Sequence, residues 1–217
     1  MEVKLISITK SLIKNKEETR ELSPEEHIVY CARVSNPNNQ LNLESAPKLL
    51  SYCIKNGHWS IFEQVSFGVE IVTSRAIAQQ IIRHKSFSFQ EFSQRYSVVS
   101  TIEPVELRLQ ADKNRQSSTE TVIDNELTQK VTKHFENCQE LYNLLLDKNI
   151  AKESARFVLP LSTSTTIYMM GSVRSWIHYL KLRADQHTQK EHQEVALRVK
   201  DIFINNFPST SEALEYI

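Results

Sequence analysis

Apolar and polar positions recur along the chain in patterns that predict several helices and a few strands. The clearest helix start is Ser23-Pro24-Glu25-Glu26, a capping box with proline at the first helical position, and the helix should run to about Val34. A second helical segment, Ser45–Asn56, stops at Gly57, a residue type that commonly ends helices. Runs of alternating or β-branched residues predict strands at Met1–Thr9, Val65–Thr73 and Ser164–Met170.

The same criteria predict more helices in the rest of the chain. Ser74 can cap a helix from Arg75 to about Arg83. The polar, proline-marked stretch Ser100–Glu120 predicts a surface excursion, either a lid or a simple loop. An amphipathic helix should follow over Thr121–Lys148, with one stripe formed by Val131, Phe135, Cys138, Tyr142 and Leu145. Further helices are predicted at Ala151–Val158 (stopped by Pro160), Val173–Leu182, Gln189–Asn205 and Ser209–Tyr216. Because strands and helices come in blocks without regular alternation, the predicted fold class is α+β.

Length and composition favour a single-domain protein and argue against nucleic-acid-binding, membrane and disulfide-rich classes. The 217 residues suit one domain over 1–217. Lys+Arg and Asp+Glu both number 26, so no net field attracts nucleic acid or a membrane. Cys31, Cys53 and Cys138 show no CxxC pairing, which indicates a reducing compartment and no disulfide framework or metal site. With no signal peptide and no apolar stretch near the ~18 residues of a membrane helix, we expect a soluble, cytoplasmic protein.

Candidate chemistry is densest between Gln80 and Tyr96. If the helix continues, Gln80, Arg83 and His84 share one face at i, i+3 and i+4. Arg83-His84-Lys85 places three cations in a row, which repel each other unless an anion such as a phosphate lies among them. Taken alone, such a run is more typical of a solvated helix end. Only three glycines occur, so a glycine-rich phosphate loop is absent and a nucleotide would be held by side chains and helix ends.

The segment resembles the flavin-dependent thymidylate synthases. Their signature is R-H-R, seven residues and S, and this chain reads Arg83-His84-Lys85, seven residues and Ser93. Glu91 to Ser97 resembles the continuation E-x-S-x-R-Y-S. Lys85 departs from the signature, because lysine keeps the charge but lacks the planar fork of arginine. Other segments that resemble the family are Ala32-Arg33-Val34-Ser35, Gly57-His58-Trp59-Ser60-Ile61-Phe62-Glu63, Ala155-Arg156-Phe157-Val158-Leu159-Pro160, and Leu182-Arg183-Ala184-Asp185 with Gln189.

This resemblance implies a fold, a reaction and a set of site residues. The fold would be a mixed or antiparallel sheet flanked by helices. The reaction would be reductive methylation of dUMP to dTMP, with methylenetetrahydrofolate as carbon donor and FAD, reduced by NADPH, as hydride source. The sites would be shared between subunits of a homotetramer. The implied nucleotide-binding residues are Gln80, Arg83, Glu91, Phe92, Ser93, Gln94, Arg95, Arg156 and Arg183. The implied cofactor-binding residues are Ser60, Arg83, His84, Lys85, Glu91, Ser172, Arg174 and His178, with His58 bordering the flavin and the folate.

Arg183 is the expected catalytic residue. A permanent guanidinium charge beside the pyrimidine favours negative charge developing on the ring, which makes C5 more nucleophilic. The alternative is a surface ion pair between Arg183 and Asp185 or Glu191. Arg156 lies in an apolar stretch, so a ligand or a partner chain should meet its charge. The cysteines lie outside the polar motifs, and we assign no catalytic cysteine.

Two other functions fit the sequence. A related enzyme could methylate or hydroxymethylate another pyrimidine nucleotide. A non-catalytic nucleotide- or RNA-binding module could use the basic and aromatic residues between Arg83 and Arg95. The neutral net charge and the lack of a continuous basic face argue against the module.

Overall fold

The computed structural model describes residues 1–15, 20–99 and 101–217. The strands in these ranges are β1 (Glu2–Ile8), β2 (Ser66–Ser74), β3 (Ser88–Glu91), β4 (Arg108–Gln110), β5 (Ser118–Thr121) and β6 (Ser164–Ser172). The α-helices are α1 (Pro24–Ala32), α2 (Ala46–Lys55), α3 (Arg75–Ile81), α4 (Asn125–Asp147), α5 (Lys152–Ala155), α6 (Val173–Arg183), α7 (Lys190–Asn206) and α8 (Pro208–Ala213). None of the helices in these ranges has the length and apolarity needed to cross a membrane.

A four-stranded antiparallel sheet in the order β1-β2-β6-β3 forms the centre of the fold. Strands β2 and β6 pair along their whole length, from Ser66 opposite Ser172 to Ser74 opposite Ser164. Helices pack on this sheet, with α6 against β6 and α7 against β1. The prediction of an α+β fold with an antiparallel sheet flanked by helices is confirmed.

The core lies where α6 and α7 cover the sheet. The Phe67 ring on β2 stacks on Trp176 of α6 with 4.7 Å between the ring centroids, and Trp176 Nε1 donates to Phe67 O at 3.0 Å. Phe87 packs edge-on against the same indole at 4.6 Å. A Cβ atom on Gly171 of β6 would lie 2.4 Å from Phe87 Cδ1. Only glycine therefore lets this ring approach the strand.

Several predicted helix ends are confirmed by their caps. The Ser23 side chain accepts from Glu26 N at 3.2 Å, and Glu26 Oε2 accepts from Ser23 N at 2.7 Å, which completes the capping box. Gly57 follows α2 with a φ of 70°, a conformation that favours glycine. Ser74 caps α3, because its side chain accepts from Ile77 N at 3.4 Å.

The prediction that α3 continues to Arg83 is wrong. The helix ends at Ile81, and His84 N donates to Ile81 O at 3.1 Å in a turn that leads into β3. Gln80, Arg83 and His84 therefore do not share one helical face, since only Gln80 belongs to α3. The sequence reasoning also missed β3, a short strand that is stabilised by its pairing with β6.

Other boundaries shift for local reasons. Helix α4 begins at Asn125, four residues later than predicted, because Thr121 of β5 still pairs with Arg108 of β4. The Asp124 side chain then caps the helix by accepting from Leu127 N at 2.9 Å. Residues 151–158, expected as one helix, divide into α5 and a 3-10 turn, and the last helix spans only Pro208–Ala213. The excursion predicted around 100–120 contains the hairpin β4–β5; residue 100 lies outside the described residues.

Candidate active site

The predicted catalytic Arg183, at the end of α6, is oriented by His84. Arg183 Nε donates a hydrogen bond to His84 Nε2 at 3.0 Å across 99 residues of sequence. The His84 ring also lies edge-on to Tyr179, with 5.0 Å between centroids. The two terminal nitrogens of Arg183 make no hydrogen bond with the residues that the structure describes. They are therefore available to a ligand.

The burial of His84 changes the charge expected for the basic run. Burial, and then the positive charge of Arg183, lower the pKa of His84 from 6.5 to about 4. The imidazole is therefore neutral near pH 7, which lets its Nε2 accept from Arg183. The expectation of three adjacent cations at Arg83-His84-Lys85 is corrected to two, because His84 carries no charge.

The alternative partners considered for Arg183 are both engaged elsewhere. Asp185 Oδ1 lies 2.7 Å from His187 Nδ1, and it also accepts from His187 N at 2.9 Å. Glu191 Oε1 lies 2.6 Å from Arg108 Nη2. Neither carboxylate forms an ion pair with Arg183, so the surface ion-pair interpretation is wrong in this protomer.

A chain of hydrogen bonds fixes Gln80, the first predicted nucleotide-binding residue. Gln80 Nε2 lies 2.6 Å from Gln189 Oε1, and Gln80 Oε1 lies 3.2 Å from His192 Nδ1. His192 is completely buried, and its Nε2 lies 3.1 Å from Tyr179 Oη. Burial, followed by the charges of Arg183 and His84, lowers the pKa of His192 to about 3, so this imidazole is also neutral. The sequence motifs gave no signal for Tyr179 or His192.

Glu91, at the end of β3, is held by two residues on other elements. Its Oε1 accepts from Arg75 Nη1 at 3.1 Å and from Thr165 Oγ1 at 3.1 Å. Arg75 starts α3 and Thr165 belongs to β6. Sequence reasoning missed Arg75, whose only available signal was a charge at the beginning of a helix, where the macrodipole disfavours cations.

The turn after β3 packs near the segment that carries Arg156. Arg95 Nη2 lies 3.1 Å from Glu153 Oε2 of α5, and both side chains are exposed. Lys152 Nζ donates to Tyr96 O at 2.8 Å. Arg156 follows α5 directly and has no carboxylate partner in the described part of the chain. Among the other predicted residues here, Ser93 is exposed, Phe92 is half-buried and Gln94 is buried.

The predicted cofactor residues of α6 lie beside the 3-10 helix Trp59–Glu63. Arg174 Nη1 lies 3.1 Å from Glu63 Oε1, and the His178 ring centroid is 5.1 Å from that of Trp59. His58 precedes this 3-10 helix and packs edge-on against Tyr52 at 5.7 Å. Ser60 is exposed within it, and Ser172 caps α6 by accepting from Ser175 N at 3.3 Å.

Comparison with known proteins decides the family. The profile described as thymidylate synthase complementing protein matches residues 18–209. The chain is 51% identical to a probable flavin-dependent thymidylate synthase of Paramecium bursaria Chlorella virus 1, over 100% of both chains. The identity to the flavin-dependent thymidylate synthase of Synechocystis sp. is also 51%, again over 100% of both. The chain belongs to the flavin-dependent thymidylate synthase family.

A solved structure with the same fold supports this membership. It is a UMP/dUMP methylase, PolB, from Streptomyces cacaoi, in a crystal structure with bound 5-Br dUMP. The TM-score is 0.83 at 26% identity, and the alignment covers 100% of this chain and 95% of that one. The resemblance inferred from the sequence motifs is confirmed at the level of the family and the fold.

One of the segments that resemble the family contacts residues of its own connecting loop. Arg33, in the early A-R-V-S segment, is buried and donates to Asn39 O at 3.3 Å, to Ser45 Oγ at 2.8 Å and to Asn42 O. These contacts fasten the loop that connects α1 to α2. We conclude that Arg33 has a structural role within the protomer.

One protomer does not bring all the predicted arginines of this family member together. Arg83 and Lys85 are exposed and make no ion pair within residues 1–15, 20–99 and 101–217. None of the cavities described in those ranges is lined by Arg83, Arg95, Arg156 and Arg183 together. The grouping predicted for these four residues is therefore not seen within a single chain.

None of the three cysteines forms a side-chain hydrogen bond with a predicted site residue in the described part of the chain. Burial raises the pKa of the Cys31 and Cys53 thiols. Cys138 Sγ lies 3.7 Å from His134 Nε2 on the surface of α4. No cluster of metal-ligating side chains occurs in the described part of the chain.

Proposed function

We propose that this protein methylates dUMP at C5 to give dTMP. The carbon would come from methylenetetrahydrofolate, and the hydride from FAD that NADPH has reduced. The observation that carries the proposal is the placement of Arg183, whose Nε is fixed by His84 while its terminal nitrogens remain available. The names of the two full-length relatives support the same reaction class.

Arg183 is the proposed catalytic residue. A guanidinium is permanently charged, and beside a pyrimidine it favours the negative charge that develops on the ring as C5 attacks the one-carbon unit. Its partner His84 is neutral, so that contact leaves the charge of Arg183 undiminished. A carboxylate partner would have offset part of this charge.

The proposed nucleotide site uses the donors and acceptors that a pyrimidine monophosphate needs. Arginine and serine donors suit the phosphate, and paired amide and carboxylate groups suit the uracil edge. The residues we assign to dUMP are Gln80, Arg83, Glu91, Phe92, Ser93, Gln94, Arg95, Arg156 and Arg183.

The donor set also fits FAD. Arg83 and Lys85 are exposed cations without an ion-pair partner among the described residues, which suits a pyrophosphate. Arg174 and His178 lie one turn apart on α6 beside Trp59, where a planar ring could pack. Bound FAD, once reduced, would supply the hydride that completes the methyl group. The residues we assign to the cofactor are His58, Ser60, Arg83, His84, Lys85, Glu91, Ser172, Arg174 and His178.

We further propose that the complete site forms between subunits of a homotetramer. None of the described cavities joins Arg95 and Arg156 to Arg183 within one chain, and the aromatic residues next to Arg95 and Arg156 in sequence are largely exposed. Tyr96 is 84% exposed and Phe157 is 83% exposed. A second copy that covers these rings would also bring new phosphate ligands to the site.

The test is anaerobic turnover with dUMP, methylenetetrahydrofolate, FAD and NADPH, scored for dTMP. We expect the wild-type protein to form dTMP and Arg183→Lys to lose most of this activity, because lysine lacks the planar fork. Arg198→Lys is the matched control, since Arg198 is an exposed arginine outside the proposed site and donates to Met1 O. Absence of dTMP with fully FAD-loaded wild-type protein would overturn the proposal.

A second substrate is favoured by one observation, the likeness to a UMP/dUMP methylase. Release of tritium from C5 of labelled dUMP, compared with labelled UMP, decides which nucleotide this protein accepts. The non-catalytic module is tested by colour: a colourless protein that cannot be reconstituted with FAD would favour it.

A further inference from the structure

The hairpin β4–β5 is fastened to the start of α7 by a compact group of charges. Arg108 on β4 has a side chain that is only 11% exposed, and its Nη2 lies 2.6 Å from Glu191 Oε1. Its Nη1 lies 3.2 Å from Glu106 Oε2, and the same oxygen is 2.6 Å from Lys190 Nζ. Arg108 Nε also donates to Ser118 Oγ on β5 at 3.0 Å. Both strands of the hairpin are thereby tied to the residues that follow Arg183.

Glu191 links this group of charges to the candidate site, because it contacts both Arg108 and Gln189. Burial alone would raise its pKa, but hydrogen bonds from Arg108, from its own backbone N–H and from Gln189, together with the charge of Arg108, outweigh that effect and the pKa is lowered. The group is therefore an ionised carboxylate near pH 7. An ionised carboxylate only accepts hydrogen bonds. Its Oε2, 2.9 Å from the Gln189 side chain, can face only the amide nitrogen of that residue.

The direction of every following hydrogen bond is then determined. With Gln189 Nε2 facing Glu191, its Oε1 faces Gln80, which must donate through Nε2 at 2.6 Å. Gln80 Oε1 then faces His192, so His192 must carry its proton on Nδ1. His192 Nε2 is left as an acceptor for the Tyr179 hydroxyl at 3.1 Å. We call these five residues the amide relay.

Without a carboxylate at its end, the amide relay could run in either direction. Both glutamine amides can rotate by half a turn, and a neutral imidazole can carry its proton on either nitrogen. Reversal would exchange the donor and the acceptor that Gln80 presents. In the direction that Glu191 sets, Gln80 keeps one Nε2 hydrogen and one Oε1 lone pair for a ligand.

We propose that Glu191, held by Arg108 of the hairpin, is a positioning residue that fixes the orientation of the Gln80 amide toward the nucleotide. The inference rests on the proposed function, because it takes Gln80 as a nucleotide-binding residue. It also gives the hairpin a role, since the hairpin supplies the arginine that holds the carboxylate in place.

The test compares three variants of the FAD-loaded protein by titration with dUMP. Glu191→Gln keeps the shape of the side chain but removes the obligate acceptor, and we expect the Kd for dUMP to rise about tenfold, as for one mismatched hydrogen bond. Glu194→Gln is the matched control on the same helix and should bind as wild type. The double variant Gln189→Glu with Glu191→Gln exchanges amide and carboxylate, which again leaves an acceptor facing Gln80. We expect it to restore binding to within about threefold of wild type.

A second readout separates orientation from mere structural support. 15N NMR of histidine-labelled protein reports which nitrogen of His192 is protonated: Nδ1 in the wild type and in the double variant, and a mixture in Glu191→Gln. Unchanged dUMP affinity together with an unchanged His192 tautomer in Glu191→Gln would overturn the proposal, as would a double variant no better than the single one. If the wild type binds no dUMP, the proposed function fails, while the tautomers still decide whether Glu191 directs the amide relay.

Discussion

Arg183 and His84, 99 residues apart in sequence, are joined by a 3.0 Å hydrogen bond from Nε to Nε2. The bond depends on a neutral imidazole, since a protonated ring offers no acceptor. Burial and the charge of Arg183 lower the pKa of His84 to about 4 and so keep that acceptor available. One residue of the family signature thereby orients the guanidinium to which we assign the chemistry.

Replacing His84 should impair catalysis when the new side chain cannot accept a hydrogen bond from Arg183 Nε. We expect His84→Leu to lower kcat by about tenfold or more, because the guanidinium is no longer aimed. His84→Gln, whose Oε1 can accept from Arg183 Nε, should stay within about threefold of wild type. Steady-state kinetics on protein with measured FAD content makes the comparison. Equal losses in both variants would argue that His84 acts on the cofactor alone.

Acid should destabilise the protein through His192. The unfolded chain takes up the proton near the ordinary pKa of 6.5, whereas the folded state takes it up only near 3. The contribution of His192 to the free energy of unfolding is therefore fully present above pH 6.5, the pKa in the unfolded chain. It is lost progressively as the pH falls from 6.5 toward 3. The slope in this window is up to roughly 1.4 kcal/mol per pH unit. Urea denaturation between about pH 7.5 and pH 5 should show a smaller decrease in His192→Gln than in wild type. Parallel curves would show that His192 does not titrate on unfolding.

The cysteines should be dispensable for turnover. Burial keeps the thiols of Cys31 and Cys53 protonated, and a protonated thiol is a poor nucleophile. We expect the triple serine variant of Cys31, Cys53 and Cys138 to retain turnover within about an order of magnitude. Its melting temperature should fall, because Cys53 is only 5% exposed and serine places a hydroxyl in the core. A folded triple variant without activity would show that at least one cysteine takes part in turnover.

Local sequence predicted those features that depend on local hydrogen bonds. The capping box at Ser23 and the helix-ending Gly57 are each set by residues within one turn, and both were predicted correctly. The end of α3 was predicted two residues too late, since the turn at His84 is imposed by the pairing of β3 with a distant strand. A pattern of apolar positions carries no information on such pairing.

In the candidate site, too, local sequence predicted some features and tertiary packing determined the others. The motif residues Gln80, His84 and Arg183 could be named from sequence, and the structure connects Gln80 to His192 and His84 to Tyr179, two partners that no motif indicated. His192 contacts Gln80 across 112 residues, and its burial depends on the packing of α7. Partners of this kind arise from tertiary packing, so spacing along the chain could not reveal them.

Replacing Arg75 should weaken nucleotide binding, because Arg75 holds Glu91 in place although it belongs to none of the sequence motifs. Glu91 Oε1 accepts from Arg75 Nη1 and from Thr165 Oγ1, both at 3.1 Å, and the ion pair is only about one-quarter exposed. Arg75→Gln removes the charge, and we expect the Kd for dUMP to rise about fivefold as Glu91 loses its fixed position. Calorimetric titration provides the measurement.

Arg198→Gln is the control for that variant, since Arg198 is an exposed arginine that donates to Met1 O at 2.9 Å, and it should bind dUMP as wild type. The Kd of Glu91→Gln for dUMP shows how much affinity is lost when the carboxylate is removed completely. The Arg75 variant should lie between wild type and Glu91→Gln, because Thr165 still donates to Glu91. Wild-type affinity in Arg75→Gln, combined with a clear loss in Glu91→Gln, would show that Thr165 alone suffices to position the carboxylate.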